Sequence, residues 1–220
     1  PPLFRAALTG DNERKILLVD MHHIISDGLS TPILLKRLDN IYCGKPLPDE
    51  HITYKDYACF SDRQSGETVN DKLAYWHNKL EGTTGGVDLP SDFPRGKTFD
   101  YFGDDISFEL TDEQSNEINK LCSELSISPY IFFAGAFALL LSKMSGNADV
   151  VLGSPVSGRD HAQLWDVIGA FIATLPLRIN IDDSISSEKY FSEIKKDVLE
   201  MLDNSQAPLE DIIKASGVKR

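Results

Sequence analysis

Met21-His22-His23-Ile24-Ile25-Ser26-Asp27-Gly28 places two adjacent histidines ahead of an aspartate, four positions after the second, with a glycine immediately behind it. A histidine titrates in the physiological range. A nearby carboxylate fixes its tautomer or, by pairing elsewhere, the shape of the loop that presents it. Glycine at position 28 permits a backbone course that a side chain forbids, which is useful where a loop leaves a strand for a pocket. The stretch therefore reads as a site. Zinc binding would require further ligands at recognisable spacing, and His51, His77 and His161 stand alone in the sequence, so no metal is expected. Ser26 lacks the GxSxG-like surroundings of a nucleophile elbow. A pair of satisfied core histidines is the plain structural alternative.

Upstream, Leu3, Phe4, Ala6, Ala7 and Leu8 suit an apolar strand, Gly10-Asp11-Asn12 signals a turn, and Ile16-Leu17-Leu18-Val19 leads into the histidines. The two runs predict a hairpin that delivers His22 and His23 to the end of a buried strand. Downstream, Ser30 is the expected N-cap of a helix with Pro32 in its first turn. Its apolar stripe is Ile33, Leu34, Leu38, Ile41 and Tyr42, and Gly44 ends it.

Further along, Thr53 to Arg63 reads as a helix with an aromatic packing face of Tyr54, Tyr57 and Phe60, and Leu73, Trp76 and Leu80 mark another. A Gly-, Pro- and Thr-rich break from Gly82 to Lys97 separates two regions by composition. Beyond it, Ile106 to Leu110 alternates like a short strand, and Thr111 with Gln114 forms a capping-box signature. Ser128-Pro129 opens a helix that is apolar on nearly every face and is expected to be buried, and Gly146 closes it. Val150-Val151-Leu152 reads as a buried strand and Leu175 to Ile181 as a half-buried one, and Ser187 to Leu202 as an amphipathic helix.

The chain has 220 residues, enough for one large domain or two small ones, with a net charge of -12 from 34 acidic and 22 basic residues. No basic run or aromatic-basic alternation offers a nucleic-acid footprint, so nucleic acid is not an expected partner. The longest apolar run, Tyr130 to Leu141, is too short to cross a bilayer, and no membrane association is expected. Cys43, Cys59 and Cys122, three at unrelated spacings, read as buried small hydrophobes in a reducing compartment, and a cytoplasmic location follows as the default.

The opening stretch resembles the HHxxxDG signature of the condensation domains of nonribosomal peptide synthetases, in the HxxxD acyltransferase group. It matches at His22, His23, Asp27 and Gly28. Other segments are similar in order: Tyr54 to Phe60 to YxDYAxW, Leu89 to Arg95 to the LPTDxPRP linker, Gly153 to Arg159 to the GxPxxGR loop. Ile168 to Arg178 resembles IGxFVNTLxxR and Asn204 to Glu210, loosely, HQDxPFE. Ala173 replaces the usual asparagine and removes an amide able to make several hydrogen bonds.

The resemblance implies an α/β fold of the two-lobed chloramphenicol acetyltransferase-like kind, each lobe a mixed sheet packed with helices. Residues 1–100 would be the later part of the first lobe and 101–220 the earlier part of the second. Both lobes would be incomplete, because a full domain is roughly twice as long and the family's opening arginine-bearing motif would precede Pro1. The resemblance also implies peptide-bond formation between a donor thioester and an acceptor aminoacyl thioester. Both ride on the phosphopantetheine of upstream and downstream peptidyl carrier domains, beside an adenylation domain of the same synthetase, and the domain itself binds no cofactor. His23 takes the catalytic role, Gly28 lines the tunnel, His22 is structural, and Asp27 forms an ion pair for which Arg178 is the candidate in this chain. Ser154, Ser157 and Thr174 are candidate contacts to the pantetheine arm or the acceptor. Another acyltransferase of the same group, forming an ester or amide, and a non-catalytic interaction module are the alternatives.

Overall fold

The computed structural model describes residues 2–47, 52–63, 67–83, 86–94, 96, 98 and 101–217. Two compact units emerge: Pro1–Lys72 with Pro155–Thr174, and Leu73–Ser154 with Leu175–Arg220.

In the first unit, strands β1 (Phe4–Gly10) and β2 (Lys15–Met21) pair antiparallel from Phe4 opposite Met21 to Gly10 opposite Lys15. The expected hairpin is therefore present, and local chemistry explains its turn. The Asp11 carboxylate accepts the Glu13 and Arg14 amides at 2.9 and 2.8 Å. Gly10 has φ +120°, and a Cβ there would lie 2.1 Å from the Arg14 carbonyl oxygen. The expected burial is absent, however: every residue of both strands except Met21 is exposed, with Leu8 at 68% and Leu18 at 55%. The sheet is two-stranded, so among the described residues no third strand lies beside it.

After β2 a short 3-10 turn (His23–Ile25) leads to α1 (Ser30–Tyr42), and α2 (Tyr54–Arg63) follows. Ile33, Leu34 and Leu38 of the α1 stripe are half-buried, whereas Ile41 and Tyr42 are exposed. Leu164, Val167 and Phe171, from the returning segment 155–174, form a small core against Ile52, Tyr54 and Tyr57. The Tyr54 ring meets Phe171 edge-on at 5.0 Å, and Tyr57 lies 4.7 Å from it. Tyr54 and Tyr57 form the predicted packing face; Phe60 is half exposed.

In the second unit lie α4 (Asp112–Glu124), α5 (Pro129–Ser145), β3 (Asp149–Val156), β4 (Ala173–Asn180), α6 (Ser187–Asp203) and α7 (Leu209–Ser216). Helix α3 (Glu67–Leu80) and both strands run across the unit boundaries, and β3 and β4 are neighbours in one sheet. Leu175, Leu177 and Ile179 are buried at alternate positions of β4, as the pattern predicts. Thr111 caps α4 reciprocally with Gln114, and Ser128 caps α5 ahead of Pro129. Trp76 is fully buried and donates its indole N–H to the Asn204 carbonyl at 2.9 Å. Gly135 brings α5 close to α6: a Cβ there would meet Ile194 and Phe191 at 2.8 Å. Burial pushes the Tyr190 hydroxyl, which donates to the Gly135 carbonyl, up to about 12.

Three expectations are corrected. Helix α5 buries only one face, Ile131, Gly135, Ala138 and Ser142, against neighbours that include α4 and α6, while Phe137 and Leu140 are 53% and 54% exposed. The alternating segment Ile106–Leu110 is not a strand: no edge among the described residues pairs with it, and Ile106 and Phe108 are 94% and 84% exposed. Of the cysteines only Cys122 is buried; Cys43 and Cys59 are exposed.

Candidate active site

The histidine loop takes its shape from Asp27. Ser26 and Asp27 are buried, and His22 and His23 are exposed on the turn before them. The His22 Nδ1 accepts the Ile24 amide at 3.1 Å, so the neutral ring carries its proton on Nε2 and is tied into the turn. His23 makes only backbone hydrogen bonds among the described residues, and its ring is exposed to whatever approaches. Gly28 departs from its expected role: its φ lies outside the left-handed region and a Cβ would meet nothing within 4 Å. The chain turns here through conformations open to any residue.

Asp27 accepts five hydrogen bonds: Ser30 N at 2.8 Å, Ser30 Oγ at 2.7 Å, Arg159 Nη2 on both oxygens at 3.0 Å, and Phe171 N at 3.2 Å. Its partner is thus Arg159, and the side chains of Arg159 and Asp27 are 2% and 4% exposed. This corrects the expected pairing: Arg178 is not the partner of Asp27. Arg178 instead grips Asp149 with Nε and Nη2 at 2.8 and 2.9 Å and gives Nη1 to the Lys79 and Glu81 carbonyls at the end of α3. The guanidinium is committed to orphan carbonyls of a helix C-terminus in its own unit.

The two terminal nitrogens of Arg159 are committed as well. Nη1 donates to the Leu164 and Val167 carbonyls at 2.6 and 2.7 Å, Nη2 serves Asp27, and the guanidinium carbon lies 4.0 Å from the Phe171 ring centroid. Nε is buried without a hydrogen-bond partner among the described residues. For Asp27, burial pushes the carboxyl upward, but the hydrogen bonds from Ser30, Arg159 and Phe171 outweigh it and hold the group below the usual carboxylate range. The expected loop from Gly153 is strand as far as Val156; the chain leaving β3 delivers Arg159 and is pinned by Gly158, at φ +60°, where a Cβ would lie 2.1 Å from the Phe171 carbonyl oxygen.

The remaining candidates divide. Ser157 and Thr174 are exposed in the unit that holds the histidines, and Ser157 opens on a cavity of about 360 Å³ lined also by Leu29, Pro32, Ile33, Arg159 and Trp165. Ser154 belongs to the other unit, is 3% exposed, and shares a hydrogen bond with the Tyr130 hydroxyl, so its own hydroxyl is already engaged in the core. Ser30 and Arg159 carry the geometry but escaped functional assignment from sequence. Ser30 read as an N-cap, a position held by Leu29, with Asp27 bonding the Ser30 amide. Arg159 stood at the end of the GxPxxGR-like loop, and that placement of a cation after a rigid turn was the available signal. Among the described residues no group of three or more His, Cys, Asp or Glu could hold a metal ion, and no single helix is long and apolar enough to cross a membrane.

Residues 1–220 match the family model described as Condensation domain. Among curated proteins the chain is 36% identical over 221 residues to bacitracin synthase 3 of Bacillus licheniformis, covering 100% of this chain and 4% of that one. It is 31% identical over 222 residues to tyrocidine synthase 2 of Brevibacillus parabrevis, covering 100% of this chain and 6% of that one. Among solved structures it matches the X-domain from teicoplanin biosynthesis at TM-score 0.85 and 20% identity, over 99% of this chain and 51% of that one. It also matches the first condensation domain of the calcium-dependent antibiotic synthetase, in complex with a substrate analogue, at TM-score 0.73 and 21% identity, over 98% and 51%. The chain spans about half of those two solved chains and a small part of each synthetase.

Proposed function

The chain belongs to the condensation-domain family, and from that premise we propose that it is the histidine-bearing part of an amide-forming condensation domain of a nonribosomal peptide synthetase. The α-amino group of an acceptor aminoacyl thioester attacks the carbonyl of a donor acyl or peptidyl thioester. A new C–N bond forms, the donor C–S bond breaks, and the donor's carrier thiol is released. Both substrates arrive on the phosphopantetheine of peptidyl carrier domains, with an adenylation domain in the same cytoplasmic synthetase, and the domain holds no cofactor of its own. Residues 1–100 and 101–220 contribute to its two lobes.

The observation that carries this reading is the contrast within one loop: Asp27 is buried in a full hydrogen-bond set, while His23, four residues before it, leaves its ring exposed. His23 orients the amine and accepts its proton as the tetrahedral adduct collapses. A free α-amino group titrates at about pH 7.7 to 8, so much of it is already nucleophilic near neutrality, and the base adds about a hundred- to ten-thousandfold. Positioning of two tethered substrates contributes as much. Ser157 and Thr174 contact the arm or the acceptor, and Gly28 offers its backbone to the tunnel.

The test is peptide formation between two loaded carrier domains by the complete domain and its His23→Ala variant. A loss of a hundredfold or more is expected; a variant with full rates sinks the catalytic role of His23. An ester product in place of an amide would move the assignment to another acyltransferase of the same group.

A further inference from the structure

Ser30 is fully buried in the first turn of α1, with its hydroxyl at the meeting of three separate stretches of chain. Its Oγ lies 2.7 Å from Asp27 Oδ1 and 3.3 Å from Asp27 N, 2.9 Å from the Gly169 carbonyl and 3.0 Å from the Gly169 amide, and 3.4 Å from Arg159 Nη2. A hydroxyl has one proton and two lone pairs. The Gly169 amide takes one lone pair, and the proton is shared between the Asp27 carboxylate and the Gly169 carbonyl. The charged acceptor is the stronger of the two.

Resting on the reading given above, we propose that Ser30 is a positioning residue. Its hydroxyl pins the segment Gly169–Thr174 to the histidine loop, so that His23 and Thr174 meet a substrate in one arrangement. Packing already restrains this segment on another side, since a Cβ on Gly169 would lie 2.1 Å from the Tyr54 ring, and the Tyr54 hydroxyl donates to the Ala170 carbonyl at 3.0 Å. The Tyr54 bond holds Ala170, and the Phe171 amide reaches Asp27 at 3.2 Å. The Ser30 hydroxyl fixes the residue ahead of them, because both polar groups of the buried Gly169 find it at hydrogen-bond length. Without it the Gly169 N–H and C=O lose that partner, and the segment gains freedom to seek others.

The experiment uses the complete domain and the variants Ser30→Ala and Ser30→Cys, the second keeping nearly the same volume with a weak donor. Amide hydrogen exchange is followed at Gly169 and Phe171, with Leu177 on β4 as the reference, together with kcat and KM for carrier-bound acceptor. Ser30→Ala is expected to speed exchange at Gly169 about tenfold while Leu177 is unmoved. It is expected to lower kcat about tenfold at unchanged KM, with Ser30→Cys between it and the parent. The proposal is overturned if exchange at Gly169 does not change. It is equally overturned if Leu177 loses protection by the same factor in both variants, or if kcat stays at the parent value. Should His23→Ala retain full rate, the catalytic reading fails, while the localised exchange change still decides whether Ser30 holds the segment.

Discussion

Two of the aspartate–arginine pairs among the described residues are largely withdrawn from solvent, and they do different work. Asp27–Arg159 joins residues 132 apart in sequence, with both side chains almost wholly buried. Asp149–Arg178 joins neighbouring strands 29 residues apart and keeps about a fifth of each side chain exposed. Around the first there is little regular structure: a 3-10 turn, the start of a helix and two loops, whose carbonyls at Leu164 and Val167 would lose a donor without the guanidinium. The second fastens elements that repeated backbone hydrogen bonds and a core of Leu175, Leu177 and Ile179 already define. A buried charge pair matters most where irregular backbone has no ladder to shape it.

Removing the arginines should separate the two. Arg159→Ala strands the Asp27 carboxylate in a dry site, and a loss of about 3 to 5 kcal/mol is expected in denaturant unfolding of the complete domain. Arg178→Ala leaves Asp149 with access to water and two helix-end carbonyls short of a donor, so about 2 kcal/mol is expected. Equal losses from the two variants would erase the contrast.

Acid probes the same contrast from the side of the carboxylates. Because the Asp27 carboxyl is held below its ordinary value in the fold, its contribution is present above the unfolded pKa and is lost as pH falls through the folded one. Stability of the parent should decline below about pH 4, more steeply than that of Asp27→Asn, as thermal melts across pH 2 to 7 would show. Parallel declines would mean that Asp27 is not the group responsible.

The smallest effect belongs to an exposed pair. Lys143 and Asp183 meet at 2.9 Å with side chains 59% and 75% exposed. Lys143→Ala should cost less than about 0.5 kcal/mol and nothing measurable in 1 M salt. A loss approaching that of Arg178→Ala would show that exposure does not rank these pairs.

Structure was legible in the residues wherever its cause is local. The hairpin follows from two apolar runs around Gly10 and Asp11, and the capping box follows from Thr111 and Gln114 three residues apart. Alternation in β4 follows from side chains that point to opposite faces. Legibility ended where an expected neighbour did not arrive. Ile106 to Leu110 has a strand's pattern but pairs with no edge among the described residues, whose hairpin also keeps exposed apolar faces, and α5 is apolar all round but buried on one side.

Amino-acid order alone dictates the local turns, the caps, most helix limits and the motif that places His23 four residues ahead of Asp27. The choice of arginine for Asp27 came from the folded path of the chain. Arg159 and Arg178 are both long cations following strand patterns, and the choice depends on where the loop after β3 folds back. Gly158 and Gly169 leave room for that loop and the Phe171 segment to close on Ser30, while Arg178 is drawn to Asp149 and the end of α3. A contact spanning 132 residues has no periodicity to announce it, because it depends on the course of everything between its ends.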